Sequence, residues 1–241
     1  MFFTKNFRVD LTLLNKSNHL SNKGLLSILE NIAEMHSSSI GYGVTDIEKT
    51  NLSWALLNWK AKIISRPKYN DILTVKTWSR YNTKLYSYRD FEVLNSKGDI
   101  VCIASSKWVL INPIHNKVVK IQDKIIEGYI PEDKSVFGIT DLPKLTELQD
   151  YFTELDYKIR KSDIDVNNHM NNLCYLDIAT EILPDSLCCS HECNEFEILY
   201  KKQIKLSENN IIAYYGTDND ANYVVVKSTD GSILHSIMKF W

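Results

Sequence analysis

Glycine and proline are scarce in this 241-residue chain, at eight and five residues. That scarcity excludes collagen-like and long disordered tracts. No window approaches the roughly 20 consecutive apolar residues of a membrane-spanning helix. Met1 to Asp10 also lacks the apolar run of a secretory signal, so the expected compartment is the cytoplasm. Cysteines number five, an odd count that favours reduced thiols over a disulfide framework. Three of them form Cys188-Cys189-x-His191-x-Cys193, which departs from the paired spacing of structural zinc sites, and neither a metal nor a cofactor is expected. Net charge is only −2, which rules out a strongly basic nucleic-acid coat. The common catalytic signatures are missing too: no G-x-S-x-G, no phosphate-binding loop, no G-x-G-x-x-G after a strand and no H-E-x-x-H.

What is present is an ordinary globular composition, 44% hydrophobic and 24% charged, in a length between one and two typical domains. The near-neutral total hides an asymmetry. Residues 1–145 carry 20 Lys and Arg against 14 Asp and Glu, or +6, whereas residues 146–241 carry 8 against 16, or −8. Uneven but solvated surfaces explain such a split most simply; a docking face for a charged partner is the alternative.

The chain reads as one pattern written twice. Ser17-Asn18-His19-Leu20-Ser21-Asn22 resembles Asn167-Asn168-His169-Met170-Asn171-Asn172 at an offset of 150. Each stretch opens a predicted helix. The first spans about Ser21 to Ser38, with Leu25, Leu29, Ile32, Ala33 and His36 on one face. The second spans about Asn171 to Leu183, with Leu173, Leu176, Ala179, Ile182 and Leu183 on one face; Ser21 and Asn171 are the expected N-caps. An alternating segment precedes each helix (Phe7 to Leu14; Phe152 to Arg160). Four strand-like runs follow each: Leu52 to Ser65, Ile72 to Ser79, Lys84 to Leu94 and Ile100 to Ile111, then Glu195 to Leu206, Ile211 to Gly216, Tyr223 to Ser228 and Ser232 to Trp241. The last hairpins echo each other around Gly98 and Gly231, at an offset of 133, so the second copy is the shorter. The predicted class is α+β: two antiparallel sheets, each wrapping a central helix, with residues from about 112 to 150 as the connecting segment.

Hydrophobic burial explains none of the polar side chains in Arg160 to Asn172. Within five residues Asp165, Asn167 and His169 supply a carboxylate, an amide and an imidazole, a set that can orient a water and move a proton near neutral pH. N–H groups at the start of the next helix, near Asn171 and Asn172, can receive a developing oxyanion. Asn and Asp are also favoured in turns and caps, and the residues by themselves leave both readings open. In the first copy Asn15, Ser17 and His19 take the three places, so the acid is gone and His19 reads as structural. His36 reads as a hydrogen-bonded core or pocket histidine. Trp54, Trp59, Trp78 and Trp108 read as strand aromatics, with a lining role in a channel as the alternative.

The pattern D-x-N-x-H-x-N-N plus an aromatic, from Asp165 to Tyr175, occurs with His36, Gly41-Tyr42-Gly43, Trp54, Arg66-Pro67, Thr77-Trp78 and Trp108-Val109. Together they resemble the acyl-ACP thioesterases of plants and bacteria over nearly the whole chain. The resemblance implies a tandem, or double, hotdog fold: residues 1–145 as an N-terminal hotdog supplying the acyl pocket and residues 146–241 as the catalytic hotdog. It implies hydrolysis of a fatty acyl thioester on acyl carrier protein, with Asp165, Asn167 and His169 at the catalytic positions. Asp165 and His169 would position and activate water while Asn167 orients a neighbour. One departure stands out. The family's Glu after Tyr-basic-basic is Gln203 here, after Tyr200-Lys201-Lys202, and Gln cannot act as a base. Ile204 follows it, which excludes a cysteine nucleophile at that place, and Cys174 reads as a packing thiol on the helix. An acidic carrier would dock on basic residues, for which Lys60, Lys62, Arg66 and Lys68, joined by Arg160, Lys161, Lys201 and Lys202, are candidates. Acyl-CoA hydrolysis and a weakly active or inactive acyl-binding protein are the rival readings. No nucleic acid or membrane span is expected, and a homodimer is compatible with the sequence.

Overall fold

The computed structural model describes residues 1–189 and 193–241, with the side chains of all of these except Tyr81, Cys188 and Cys189. It divides into two compact units, Met1–Leu142 and Pro143–Trp241. The first runs β1 (Phe3–Arg8), α1 (Asn22–Ser39), α2 (Ile47–Thr50), β2 (Ser53–Ile63), β3 (Ile72–Asn82), β4 (Tyr86–Leu94), β5 (Ile100–Asn112), β6 (Lys117–Val119) and α3 (Asp123–Tyr129). Its strands pair antiparallel in the order β1-β3-β4-β5-β2, with β6 added to β5. The second runs β7 (Thr153–Lys158), α4 (Cys174–Ile182), α5 (Asp185–Cys189), β8 (Glu195–Tyr200), β9 (Asn210–Asp218), β10 (Ala221–Ser228) and β11 (Leu234–Phe240). Its order, β7-β9-β10-β11-β8, repeats that of the first unit strand for strand. Each unit is a hotdog, and the chain is a double hotdog of the α+β class.

Helix α1 forms where its apolar spacing predicts. Ser21 caps it by accepting the N–H of Gly24 at 2.9 Å, and Leu25, Leu26, Leu29 and Ile32 are fully buried. Each such side chain contributes about 2 kcal/mol. The sheet face toward α1 is carried by cross-strand rows such as Thr77–Phe91–Ala104 and Arg89–Ser106–Trp59. The opposite face, with Trp78, Asp90 and Ser105 in one row, receives residues 134–136: Asp90 accepts the N–H of Val136 at 2.9 Å and the indole of Trp78 donates to the carbonyl of Lys134 at 2.9 Å. The connecting segment, which lacks clear periodicity, therefore holds a short strand, a short helix and a pinned strap.

Several predicted bounds move. The first strand lies at Phe3–Arg8, before the expected Phe7 to Leu14, because a short 3-10 turn caps on Asp10 at once. The run from Glu195 leaves the sheet at Tyr200, where Lys201 and Lys202 turn their N–H groups to the carbonyl of His235. Helix α4 begins at Cys174; Asn171 lies ahead of it, its side chain accepting the N–H of Leu173 at 2.8 Å and its carbonyl that of Cys174 at 2.9 Å. Gly98 and Gly231 take φ of 86° and 72°, as their tight turns require.

Candidate active site

The segment from Arg160 to Met170 hangs between β7 and α4 and is held by its own polar groups. Asp163, with its side chain 2% exposed, accepts the backbone N–H of Arg160 at 2.8 Å, the Nε of Arg160 at 2.9 Å and the hydroxyl of Tyr157 at 3.0 Å. Its carboxyl is held below the usual range by these bonds, against the opposing effect of burial. Its carbonyl takes the N–H of Asn171 at 2.8 Å. Nothing in the sequence marks Asp163, because a buried pin in a polar stretch looks the same as any turn acid.

Beyond Asp163 the chain makes a tight reversal. Asp165 N–H donates to the carbonyl of His169 at 2.8 Å, Asn168 N–H donates to the carbonyl of Asp165 at 3.1 Å, and Asn168 takes a left-handed φ of 60° that Asn tolerates. The Asp165 carboxylate accepts the N–H of Asn167 at 2.8 Å, the amide of Asn167 at 3.3 Å and, more weakly, the N–H of His169 at 3.4 Å. All three candidate residues are thus together, with Asn167 exposed and Asp165 and His169 half-buried. The Nδ1 of His169 is buried and has no hydrogen-bond partner among the described residues. Burial lowers the imidazole's pKa; the Asp165 carboxylate opposes this and the Lys205 ammonium adds to it. A neutral imidazole in this position can accept a proton.

The first unit contains the same turn. Asn15 N–H donates to His19 at 2.8 Å, Asn18 N–H to Asn15 at 3.1 Å, Asn18 has φ of 61°, and the Asn15 amide oxygen accepts the N–H groups of Ser17 and His19 at 3.0 and 3.1 Å. Turn geometry alone therefore does not distinguish a reactive site. The two turns differ in their groups: a carboxylate replaces the amide of Asn15, and whereas Nδ1 of His19 lies 2.8 Å from the carbonyl of Ser17, Nδ1 of His169 is not engaged by its own turn.

Gln203 lies on the exposed segment after β8, not on the strand, and that segment is joined to the candidate turn through the backbone: Met170 N–H donates to the carbonyl of Ile204 at 2.8 Å. In the first unit Leu20 N–H donates to the carbonyl of Pro67 at 2.8 Å, so Arg66 is the counterpart of Gln203. Arg66 donates to the carbonyl of Leu20 and to Oδ1 of Asn22, each at 2.8 Å, which makes it a clamp on the start of α1 more than a docking charge. Behind Gln203 sits His235, fully buried, with Nδ1 3.0 Å from the carbonyl of Lys202 and Nε2 3.2 Å from Glu208 Oε2 without hydrogen-bond alignment. No sequence spacing marks His235 or Glu208, because the sheet brings them together. Cys174 is buried, its thiol 3.8 Å from the carbonyl of Asp163. Of the cysteine cluster, Cys188, Cys189 and His191 lie outside the described side chains.

The acyl-ACP thioesterase N-terminal domain matches residues 1–129, and the acyl-ACP thioesterase C-terminal domain matches residues 146–240. The chain belongs to the acyl-ACP thioesterase family. Among its relatives is the chloroplastic oleoyl-acyl carrier protein thioesterase 2 of Arabidopsis thaliana, 24% identical over 88% of this chain and 62% of that protein. Against the palmitoyl-acyl carrier protein thioesterase of Gossypium hirsutum it is 27% identical over 92% of this chain and 56% of the relative, so it spans little more than half the length of these plant proteins. An acyl-ACP thioesterase structure from Bacteroides thetaiotaomicron superposes with a TM-score of 0.84 at 22% identity, covering 99% of this chain and 96% of that one. Such likeness to a member of the family establishes the double hotdog. Among the described residues no helix is long and apolar enough to cross a membrane.

Proposed function

We propose that this family member hydrolyses fatty acyl thioesters carried on acyl carrier protein, releasing a free fatty acid and the carrier thiol. In this reading residues 146–241 carry the chemistry and residues 1–145 hold the acyl chain. The observation that carries it is the difference between the two copies of the turn: only in the second does a carboxylate stand beside an imidazole whose Nδ1 the turn leaves unused. The neutral His169 takes a proton from water as the water oxygen adds to the thioester carbonyl carbon. Asp165 fixes the turn through the N–H groups of Asn167 and His169, and its charge favours the imidazolium that forms. Asn167 holds the second oxygen of Asp165. The N–H of Asn171 is engaged by Asp163, so Asn172 is the donor at the helix entry that faces the oxyanion. Breaking of the C–S bond then returns the proton from His169 to the leaving thiolate. Gln203 orients substrate by hydrogen bonding.

The odd cysteine count supports a reducing compartment, the cytoplasm, and the product supports a place in fatty acid biosynthesis. The test is a hydrolysis assay over acyl-ACPs of graded chain length: Asp165→Ala and His169→Ala should each lose about a hundredfold or more in kcat/KM. Near wild-type turnover in both removes the assignment. Gln203 favours a second reading, a weakly active acyl-binding protein, in which purified protein binds acyl chains without hydrolysing them.

A further inference from the structure

Between α1 and the first unit's sheet lies a polar cluster that the proposed chemistry does not use. Arg89 is buried in the layer with Phe91 and Val93 of the same strand, and it forms no ion pair with any described carboxylate. Its Nη1 donates to Nδ1 of His36 at 2.9 Å and to Oγ1 of Thr77 at 3.2 Å, and its guanidinium stands 5.3 Å from the ring centre of Tyr129. His36 is itself fully buried and stacks on Phe3 with ring centres 4.9 Å apart. Because a guanidinium only donates, Nδ1 of His36 is the acceptor and its proton sits on Nε2, which has no acceptor among the described residues. Burial and then the charge of Arg89 hold the imidazole neutral, its pKa pushed down to about 3. In the same sheet row, Ser106 is the cross-strand partner of both Arg89 and Trp59; Trp59 is 1% exposed, and its indole N–H also lacks an acceptor.

The inventory is one-sided. A buried cation and two buried N–H groups lie in this layer: Arg89 reaches the hydroxyl of Thr77, while among the described residues neither the Nε2–H of His36 nor the indole N–H of Trp59 has an acceptor. Each buried donor left without an acceptor destabilises the fold by about 1–3 kcal/mol, so native interiors rarely retain two beside a buried cation without a use for them. We propose that His36, Trp59 and Arg89 form a specificity site for a hydrogen-bond-accepting oxygen, oxo or hydroxyl, carried on the acyl chain, so that oxygenated chains are preferred to plain hydrocarbon chains of the same length. This rests on the reading that the first unit holds the acyl chain. A site built to hydrogen-bond an oxygen discriminates strongly against the analogue lacking it, since its buried donors then stay unpaired.

Stearoyl-ACP and a series of oxostearoyl-ACPs, with the oxygen moved along the chain, are compared in wild type and in Trp59→Phe, which keeps an aromatic side chain and removes the N–H together with its five-membered ring. One oxygen position should exceed stearoyl-ACP in kcat/KM by about tenfold, and the ratio should fall severalfold toward one in Trp59→Phe. A wild-type ratio at or below one for every position, or an unchanged ratio in a folded Trp59→Phe, overturns the site. Should Trp59→Phe not fold, titration of wild type with oxostearate and stearate, read by tryptophan fluorescence, decides: oxostearate binding no tighter than stearate overturns it. Tighter oxostearate binding without hydrolysis of any acyl-ACP keeps the site and defeats the hydrolase reading, whereas hydrolysis confined to plain chains does the reverse.

Discussion

The backbone N–H of Met170 donates to the carbonyl of Ile204 across 2.8 Å, and this one bond joins the segment that carries Gln203 to the turn that ends at His169. Because Gln203 is exposed and lies beyond the end of β8, a carboxylate there meets little desolvation penalty. Gln203→Glu should therefore fold normally and raise kcat for acyl-ACP by about tenfold or more, the amide having lacked both the charge and the basicity of the acid. A Gln203→Glu protein no faster than wild type would show that the Asp165 and His169 pair is sufficient by itself.

The acid limb of the rate profile reports His169. Its imidazole must be neutral to accept a proton, so activity is full above the folded pKa and lost as pH falls through it. Burial lowers that pKa, so the loss should come at more acidic pH than for a free imidazole. Lys205→Gln removes a charge that lowers it and should move the limb to higher pH; Asp165→Asn removes one that raises it and should move the residual limb lower. Profiles of kcat/KM for the three proteins check this, and limbs that move in the same direction exclude His169 as the titrating base.

Gly24 lies on the first turn of α1, where a Cβ would overlap the carbonyl of Leu13. That carbonyl is fixed by the N–H and the hydroxyl of Ser21, each at 2.9 Å, so it has little room to yield. Ordinary Gly→Ala changes inside helices stabilise by about 1 kcal/mol. Gly24→Ala should instead destabilise by about 2 kcal/mol, the cost of overpacking. Urea unfolding measures it, and a gain in stability would mean that the junction between the turn and α1 relaxes freely.

Much of the architecture was legible in the sequence because the repeat imposes the same local signals twice. Leu25, Leu29, Ile32 and Ala33 mark the buried face of α1, and Gly98 and Gly231 mark equivalent hairpins whose φ requires glycine. The candidate trio was legible because Asp165, Asn167 and His169 are neighbours in the chain. What stayed hidden depends on pairing across strands. The equivalence of Arg66 and Gln203 follows from two backbone bonds at a different offset from the turns; the bond of Arg89 to His36 comes from helix packing, and the shared row of Arg89 and Trp59 from sheet register. The strap at residues 134–136 was opaque for a similar reason: it is held by Asp90 and Trp78 of the sheet and has no periodicity of its own.

Residues 146–241 carry eight cations against sixteen acids, yet five of the eight, Arg160, Lys161, Lys201, Lys202 and Lys205, lie in the two segments that the Met170–Ile204 bond joins around the candidate turn. Arg160 is tied to Asp163, but Lys161, Lys201 and Lys202 are exposed. A positive rim on an acidic unit attracts an anionic substrate to that one place, and its effect should weaken as salt shortens the Debye length. Replacing Lys161, Lys201 and Lys202 by Glu together should raise KM for acyl-ACP about tenfold at low ionic strength, with kcat largely kept and a small uncharged thioester unaffected. The difference should shrink above about 0.5 M salt, where screening is nearly complete. Equal losses on both substrates would mean that these lysines support the fold of the turn instead of meeting the carrier.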